Sequence, residues 1–322
     1  MLIVTGATGL LGNTVLRQAQ GRGIAATALL RPTSPQRPLE GLGGPVIRAD
    51  LNADALEGLV AGARAVIHAG ARVAIGRRDL AAYRADNVTP TARLAAACRA
   101  AGVRFLFVSS VDTLTWGSRE APGDETMLAP GPVESAYATS KREAEAAVMA
   151  EAARGLDAVI VHPGFLVGAW DWKPSSGRLI LQVARAPLVP APPGGNDFCH
   201  AGDVADAVIA AALEAPAGGR YVLGGEALTY AQAFRQIREA AGRPRRVAEV
   251  PVWLVRAAGA AGDLAGLLAG RELDFNGTSA AIACLPHHCS SARAMRELGY
   301  RPRPAAIAFA EAWAWYVRQG YA

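Results

Sequence analysis

One short run near the start constrains this chain more than any other: Thr5-Gly6-Ala7-Thr8-Gly9-Leu10-Leu11-Gly12. It is entered from Leu2-Ile3-Val4-Thr5, a β-rich stretch of strand length, and left through Leu10–Gln20, which has helical spacing. A chain passing at once from strand to helix needs one glycine for the turn. A second lets backbone approach a ligand, and a third lets helix lie close on strand. The free N–H groups and positive dipole end of such a helix favour a phosphate. Between a predicted strand and a predicted helix, the pattern points to a bound dinucleotide and not to a merely structural tight turn.

Further strands are predicted at Ala26–Leu30, Val46–Ala49, Ala65–His68, Phe105–Val108, Ala158–Val161 and Arg220–Leu223. Helical spacing fills the gaps at Ala53–Ala61, Tyr83–Ala101, Ser140–Arg154 and Val204–Leu213. Strands alternating with helices build right-handed βαβ units and an α/β, doubly wound parallel sheet. After Gly164 the texture changes to loops dense in Pro, Gly and aromatic residues, then to helices punctuated by Pro. This predicts a smaller, mostly helical C-terminal substrate domain over the ligand crevice.

The 322 residues suffice for about two domains. At 51% hydrophobic and 19% charged, the chain is not a disordered one. Its net charge of +5 comes from scattered, mostly arginine residues, so no nucleic-acid partner is expected and an anionic small molecule fits equally well. Four cysteines make no disulfide framework. The first residues lack a basic leader. The most apolar window, Val252–Gly270, carries Arg256 and Asp263 and is rich in Ala and Gly. It reads as a packed helix and not as a membrane span, so a cytoplasmic protein without membrane contact is expected.

The end of the second strand selects the dinucleotide. NAD sites place an acid there to accept from the ribose 2′-hydroxyl. Here Arg31 stands 19 residues beyond Gly12, with Ser34 and Arg37 nearby. A guanidinium binds a 2′-phosphate that a carboxylate would repel, so NADP (as NADPH) is the expected cofactor and NAD the alternative. Asp50-Leu51 either lies near the adenine, or Asp50 caps a helix starting near Ala53.

Tyr137 and Lys141, four apart near the start of a helix, share one face. A lysine ammonium lowers the pKa of a nearby phenol and allows proton exchange with a carbonyl or alcohol oxygen. Ser109-Ser110, just past a buried strand, lie at the carboxyl edge of the sheet and supply a further donor to the substrate oxygen.

With Thr5–Gly12, Ser109-Ser110, Tyr137–Lys141 and Pro163-Gly164 in place, the chain resembles an extended short-chain dehydrogenase/reductase. It is most similar to the dihydroflavonol-reductase-like branch of the NAD-dependent epimerase/dehydratases. Leu30–Ser34, Asp171–Ser175, Arg220–Gly225 and Ser290–Pro302 carry that closer likeness. The resemblance implies a Rossmann fold, with 1–163 and 196–224 holding the dinucleotide and 164–195 and 225–322 the substrate. It implies Ser110 polarising a carbonyl, Tyr137 as acid/base, Lys141 as its activator and a ribose contact, and Ser109 as the fallback serine. It also implies cofactor contacts from Gly6, Thr8, Gly9, Leu10, Leu11, Gly12, Ala69, Gly70, Ala71, Ser109, Pro163, Gly164, Phe165 and Leu166, and Asn87 behind the site. A homodimer packed through Tyr83–Ala101 and Ser140–Arg154 is a further expectation. Gly70 stands where the family often has a second alanine, and His162 where Asn or Arg is common.

Arg72, Val73, Trp170, Trp172, Lys173, Phe198 and His200 are candidate substrate contacts, or equally loop anchors. Asp203 and Asp206 flank or cap the helix Val204–Leu213. Cys284-Leu-Pro-His-His-Cys289 gathers four potential zinc ligands, but without a second pair no metal site is expected. The resemblance puts this segment in a strand. The leading expectation is NADP(H)-dependent reduction of a carbonyl on a bulky small molecule, or the reverse oxidation. A nucleotide-sugar epimerase or dehydratase with retained NAD(P) is the alternative, and a non-catalytic redox sensor the third reading.

Overall fold

The computed structural model describes residues 1–128, 131–244 and 246–322. In chain order the strands are β1 (Leu2–Thr5), β2 (Ala26–Leu30), β3 (Val46–Arg48), β4 (Ala65–His68), β5 (Arg104–Val108) and β6 (Ala158–Pro163). They continue as β7 (Phe165–Val167), β8 (Val189–Ala191), β9 (Gly195–His200), β10 (Arg220–Leu223), β11 (Glu226–Thr229) and β12 (Val247–Glu249). Seven of them form one parallel sheet in the order β3-β2-β1-β4-β5-β6-β10. The strand order reverses between β1 and β4, which opens the crevice where ligands of doubly wound sheets bind.

The strand sequences explain why both faces are covered. β1, β4 and β6 are buried at every residue, as is β5 beyond its first, so successive side chains serve opposite layers. Val4, Ile67, Leu106 and Val161 meet helices Leu10–Gly21 and Ala201–Glu214. Ile3, Val66, Phe105 and Ile160 meet helices Thr89–Ala100 and Ala136–Ala152.

Several expected elements differ in detail. The span Tyr83–Ala101 is not one helix: Leu80–Tyr83 passes through a wide π turn, Arg84–Val88, into Thr89–Ala100. Pro90 has no N–H to give to the preceding turn, and the relaxed ladder leaves Asn87 inside. Of Ala53–Ala61 only Glu57–Val60 is helical. Asp50 caps no helix there, because its carboxylate accepts from the Asn52 N–H at 2.9 Å in a local turn. The helix expected from Ser140 begins at Ala136, where the Ser135 hydroxyl accepts from the Ala138 N–H, so Tyr137 and Lys141 lie on its first turns. Likewise His200, not Asp203 or Asp206, caps helix Ala201–Glu214. Asp203 is bound by Arg303 at 2.7 Å and Asp206 by Arg22 at 2.5 Å.

The later part of the chain adds two small sheets, β7-β9-β11 and β8-β12. β9, expected with the nucleotide half, pairs with β7 and β11 because Phe198 anchors it in a second core with Phe309, Trp315 and Tyr316. The segment 284–289 is no strand; only His288 and Cys289 make isolated bridges, to Gly117 and Gly123. Helix Val252–Leu268 is present, but it buries only Val255, Gly259 and Gly266. Among the described residues, no helix is long and apolar enough to cross a membrane.

One buried ionic cluster ties helix Ala136–Ala152 across β5 to the sheet edge. Glu145 accepts from Arg220 at 2.9 Å and from the Ser109 hydroxyl. Replacing Glu145 with Ala strands the Arg220 guanidinium and the Ser109 hydroxyl. The expected loss of unfolding free energy in urea is about 3 kcal/mol; a loss below about 1 kcal/mol contradicts this account of the cluster.

Candidate active site

The glycine loop is shaped by close backbone approach. Gly6 has φ +67°, and a Cβ there would sit 2.5 Å from the Ala69 carbonyl carbon. A Cβ on Gly12 would lie 2.4 Å from the Gly6 oxygen. Gly9 starts helix Leu10–Gly21 with no side-chain cap and is exposed, leaving the N–H groups of Leu10, Leu11 and Gly12 at an uncapped helix start beside half-buried Thr8. Across it run Ala69, Gly70 and Ala71, with Gly70 N–H 3.4 Å from the Thr5 hydroxyl. Pro163 ends β6 and Gly164, Phe165 and Leu166 follow it, and a Cβ on Gly164 would meet the Asp197 carbonyl at 2.8 Å. A cradle that glycine alone can line, closed by an unsatisfied helix end, fits a pyrophosphate.

Arg31 is exposed at the end of β2 and has no carboxylate partner among the described residues. Arg48, which the sequence reading did not single out, braces the turn after it, donating to the carbonyls of Pro32 at 2.9 Å and Ser34 at 3.1 Å. Its signal was present as a second arginine on the neighbouring strand β3. Leu51 is held through its carbonyl by Arg93 at 2.7 Å, beside the exposed Asp50.

Ser110, Tyr137 and Lys141 are all buried at the carboxyl edge of the sheet. The Ser110 hydroxyl is near enough to the Tyr137 phenol to act on its pKa. Ser109 points the other way, into Glu145. The expected lowering of the phenol by Lys141 is not what the geometry gives. Burial pushes the Tyr137 phenol up, Asp112 adds to the rise, and Ser110 opposes it. Lys141 instead donates to the Val108 carbonyl at 2.6 Å and lies 4.0 Å from the Phe107 ring centre. Its own burial brings the ammonium down to about 7. The site therefore holds a neutral phenol beside a serine hydroxyl, an arrangement able to give a proton to an oxygen.

Asn87, from the π turn, braces the wall of the crevice. Its side chain accepts from the Arg72 N–H at 2.7 Å and donates to the Ser140 hydroxyl at 2.9 Å. Arg72 itself lies over the Tyr83 ring and pairs with Asp86, and Val73 beside it is exposed. The other candidate substrate contacts make contacts within the chain. Phe198 is wholly buried among Phe165, Tyr230 and Phe309, and His200 is bound to Glu311 at 2.7 Å. Trp172 packs edge-on against Trp315, and Trp170 lies under the Arg17 guanidinium, both half-buried. Lys173 is exposed.

Sequence reasoning missed the group facing Tyr137. Asp112 is bound to Ser110 through its N–H, and burial raises its carboxyl to about 6. His287 stands 3.3 Å from Asp112 and lies against Trp116, with ring centres 3.6 Å apart and the planes tilted by 31°. The Cys/His cluster is thus divided: His287 turns to Asp112, while His288 binds Asp197 at 2.7 Å. Among the described residues no group of three or more His, Cys, Asp or Glu is placed to hold a metal ion.

A Rossmann sheet with a glycine-lined cradle and a Ser-Tyr-Lys set defines an extended short-chain dehydrogenase/reductase. The model of the NAD dependent epimerase/dehydratase family matches residues 2–224, and the chain belongs to that family. Sterol demethylase protein B of Methylococcus capsulatus is 32% identical over 327 residues, spanning 99% of this chain and 98% of its own. The 2-alkyl-3-oxoalkanoate reductase of Stenotrophomonas maltophilia is 30% identical, with 94% of each chain covered. Among solved structures, PA4631, a nucleoside-diphosphate-sugar epimerase from Pseudomonas aeruginosa, superposes with a TM-score of 0.81 at 25% identity, over 99% of this chain and 98% of its own. The chain is accordingly an NAD(P)-dependent oxidoreductase or epimerase of this type.

His68, at the end of β4, links this site to the pH dependence of stability. Burial, aided by the Lys141 charge, lowers the imidazole to about 3. Below about pH 6.5 the unfolded chain takes a proton at His68 that the folded chain refuses, so stability is lost as pH falls toward 3. In urea titrations from pH 7 to pH 4.5, His68→Gln should flatten the decline by about 1.4 kcal/mol per pH unit. Equal slopes for the two proteins contradict this assignment.

Proposed function

We propose that this chain is an NADP(H)-dependent reductase that converts the carbonyl of a bulky, largely apolar molecule to an alcohol, or runs the reverse oxidation. The buried grouping of Tyr137 with Ser110 and Lys141 at the carboxyl edge of the sheet is the observation that carries this reading. Reduction of a carbonyl requires a proton at the oxygen as the carbon gains hydride, and a protonated phenol beside that oxygen can supply it. Ser110 holds the substrate oxygen by its hydroxyl, Tyr137 delivers the proton to that oxygen, and the phenol is reprotonated from solvent.

Gly6, Gly9 and Gly12 with the N–H groups of Leu10 and Leu11 would hold the pyrophosphate of a nicotinamide dinucleotide. Bound there, the dinucleotide supplies or accepts the hydride. Arg31, with Arg37 and the Arg48-braced turn, offers guanidinium groups to a 2′-phosphate, and Arg31 stands where a carboxylate would repel one. Lys141 would reach the nicotinamide ribose, and Pro163–Leu166 would flank its ring. Residues 1–163 with 196–224 carry the dinucleotide in this reading, and 164–195 with 225–322 cover the substrate, though β9 bridges the two. A bulky apolar substrate accords with the sterol and the 2-alkyl-3-oxoalkanoate in the names of two relatives.

Tyr137→Phe removes only the hydroxyl. Steady-state reduction should fall by a factor of about 10²–10⁴, while the dissociation constant for NADPH, read by fluorescence, changes less than about twofold. Turnover that persists in the variant overturns the role given to Tyr137.

A further inference from the structure

Helix Val252–Leu268 is built with its large apolar residues outward. Its packing stripe is small. A Cβ on Gly259 would lie 2.5 Å from that of Ala280, one on Gly262 2.1 Å from the Phe275 oxygen, and one on Gly266 2.7 Å from the Arg271 oxygen. Only Val255 adds a large buried side chain to this stripe. On the opposite side Trp253 is 69% exposed, Leu264 60%, Leu267 64% and Leu268 82%. At 3.6 residues per turn these four fall within a sector of about 100°. A helix of a soluble surface shows the reverse pattern, and a contiguous apolar patch marks an interaction site.

The rim of this patch is cationic. Arg256 lies on the helix, Arg271 just beyond it, and Arg77 and Arg78 beside its end, where their N–H groups bind the Glu272 carboxylate at 3.0 and 3.4 Å. These four arginines are exposed and have no carboxylate side-chain partner within ion-pair distance among the described residues. Of the neighbouring acids, Asp274 is paired with Arg178 at 2.6 Å and Asp79 with Arg72 at 3.6 Å, while Asp263 accepts from the Gly277 N–H at 3.2 Å and Glu272 as above, so four unpaired arginines outnumber these last two carboxylates. The patch also adjoins the crevice. Asn276 donates to the Ile75 carbonyl at 2.7 Å, and the next carbonyl, Gly76, accepts from Ala136 N–H, one residue before Tyr137.

We propose that helix Val252–Leu268 seats the enzyme on an anionic lipid surface, with the crevice mouth against the bilayer. Leucines and a tryptophan enter the acyl boundary while the arginines meet lipid phosphates, as in helices that lie in the interface plane. A second copy of the chain is the poorer occupant, because a two-fold pairing of this face sets arginine rim against arginine rim. The inference rests on the reductase reading in one respect only: an apolar substrate would pass from the lipid into the crevice without crossing water.

The test is flotation of the full chain with vesicles of phosphatidylcholine alone and of equimolar phosphatidylcholine and phosphatidylglycerol. The chain should float with the anionic vesicles, and less with the neutral ones. The double variant L264E/L268E should partition at least about tenfold less, with melting temperature and NADPH affinity unchanged. A chain that stays below both vesicle types, or a variant that floats as well as the parent, overturns the proposal. So does light scattering that finds a dimer which L264E/L268E converts to monomer. Binding is read without turnover, so a chain that floats but reduces no ketone contradicts the reductase reading and leaves the docking surface standing.

Discussion

The structure depends on one close contact: the backbone of Gly6, leaving β1, against Ala69 and Gly70, leaving β4. With a side chain at Gly6 the two strand ends could not approach, since its Cβ would fall 2.5–2.6 Å from three backbone atoms. That approach sets the crevice at the point where strand order reverses, and aims an uncapped helix start into it. Gly12 repeats the constraint on the helix side, where its lack of a side chain lets helix Leu10–Gly21 sit on the turn.

From this contact a chain of polar groups runs through the buried interior to the chemistry. The Thr5 hydroxyl meets His68 Nδ1 at 2.6 Å, and His68 Nε2 meets the Thr91 hydroxyl at 3.0 Å. Thr91 donates to the Asn87 carbonyl, Asn87 to the Ser140 hydroxyl, and Ser140 to the Tyr137 carbonyl at 2.7 Å. Since Thr91 spends its proton on Asn87, the network assigns the His68 proton to Nε2 and leaves Nδ1 to accept from Thr5. A neutral imidazole is then the form the site requires, which agrees with its lowered pKa. The glycine loop and the tyrosine helix are thereby held in one frame, though 63 residues separate Thr5 from His68 and 53 separate Asn87 from Ser140.

What was legible in the sequence was local. The glycine spacing, the apolar strand runs and the Tyr137–Lys141 interval each state their meaning within a dozen residues, and the sheet and the grouping of Ser110 with Tyr137 followed from them. The π turn was hidden because one extra residue in a helical ladder leaves the apolar pattern nearly intact, with Pro90 as its only cue. The pairing of Asp112 with His287 was beyond reach for a different reason: 175 residues separate them, and His287 stood in a run that looked like metal ligands. The partners of β9 were hidden because a strand such as Gly195–His200 does not declare which sheet it joins. Helix Val252–Leu268 showed its composition but not its orientation, which is set by glycines that pack inward and leave the leucines outside.

The central claim is that the crevice takes up an exchanging NADPH and uses it to reduce a carbonyl. The most direct measurement is to dialyse the purified protein exhaustively, identify any retained nucleotide by mass spectrometry after denaturation, and titrate the protein with NADPH and NADH. The account predicts a chain free of nucleotide that binds NADPH the more tightly, a preference that Arg31→Ala abolishes. Near-stoichiometric NAD surviving dialysis would contradict it and would point to a retained cofactor, as an epimerase or dehydratase requires.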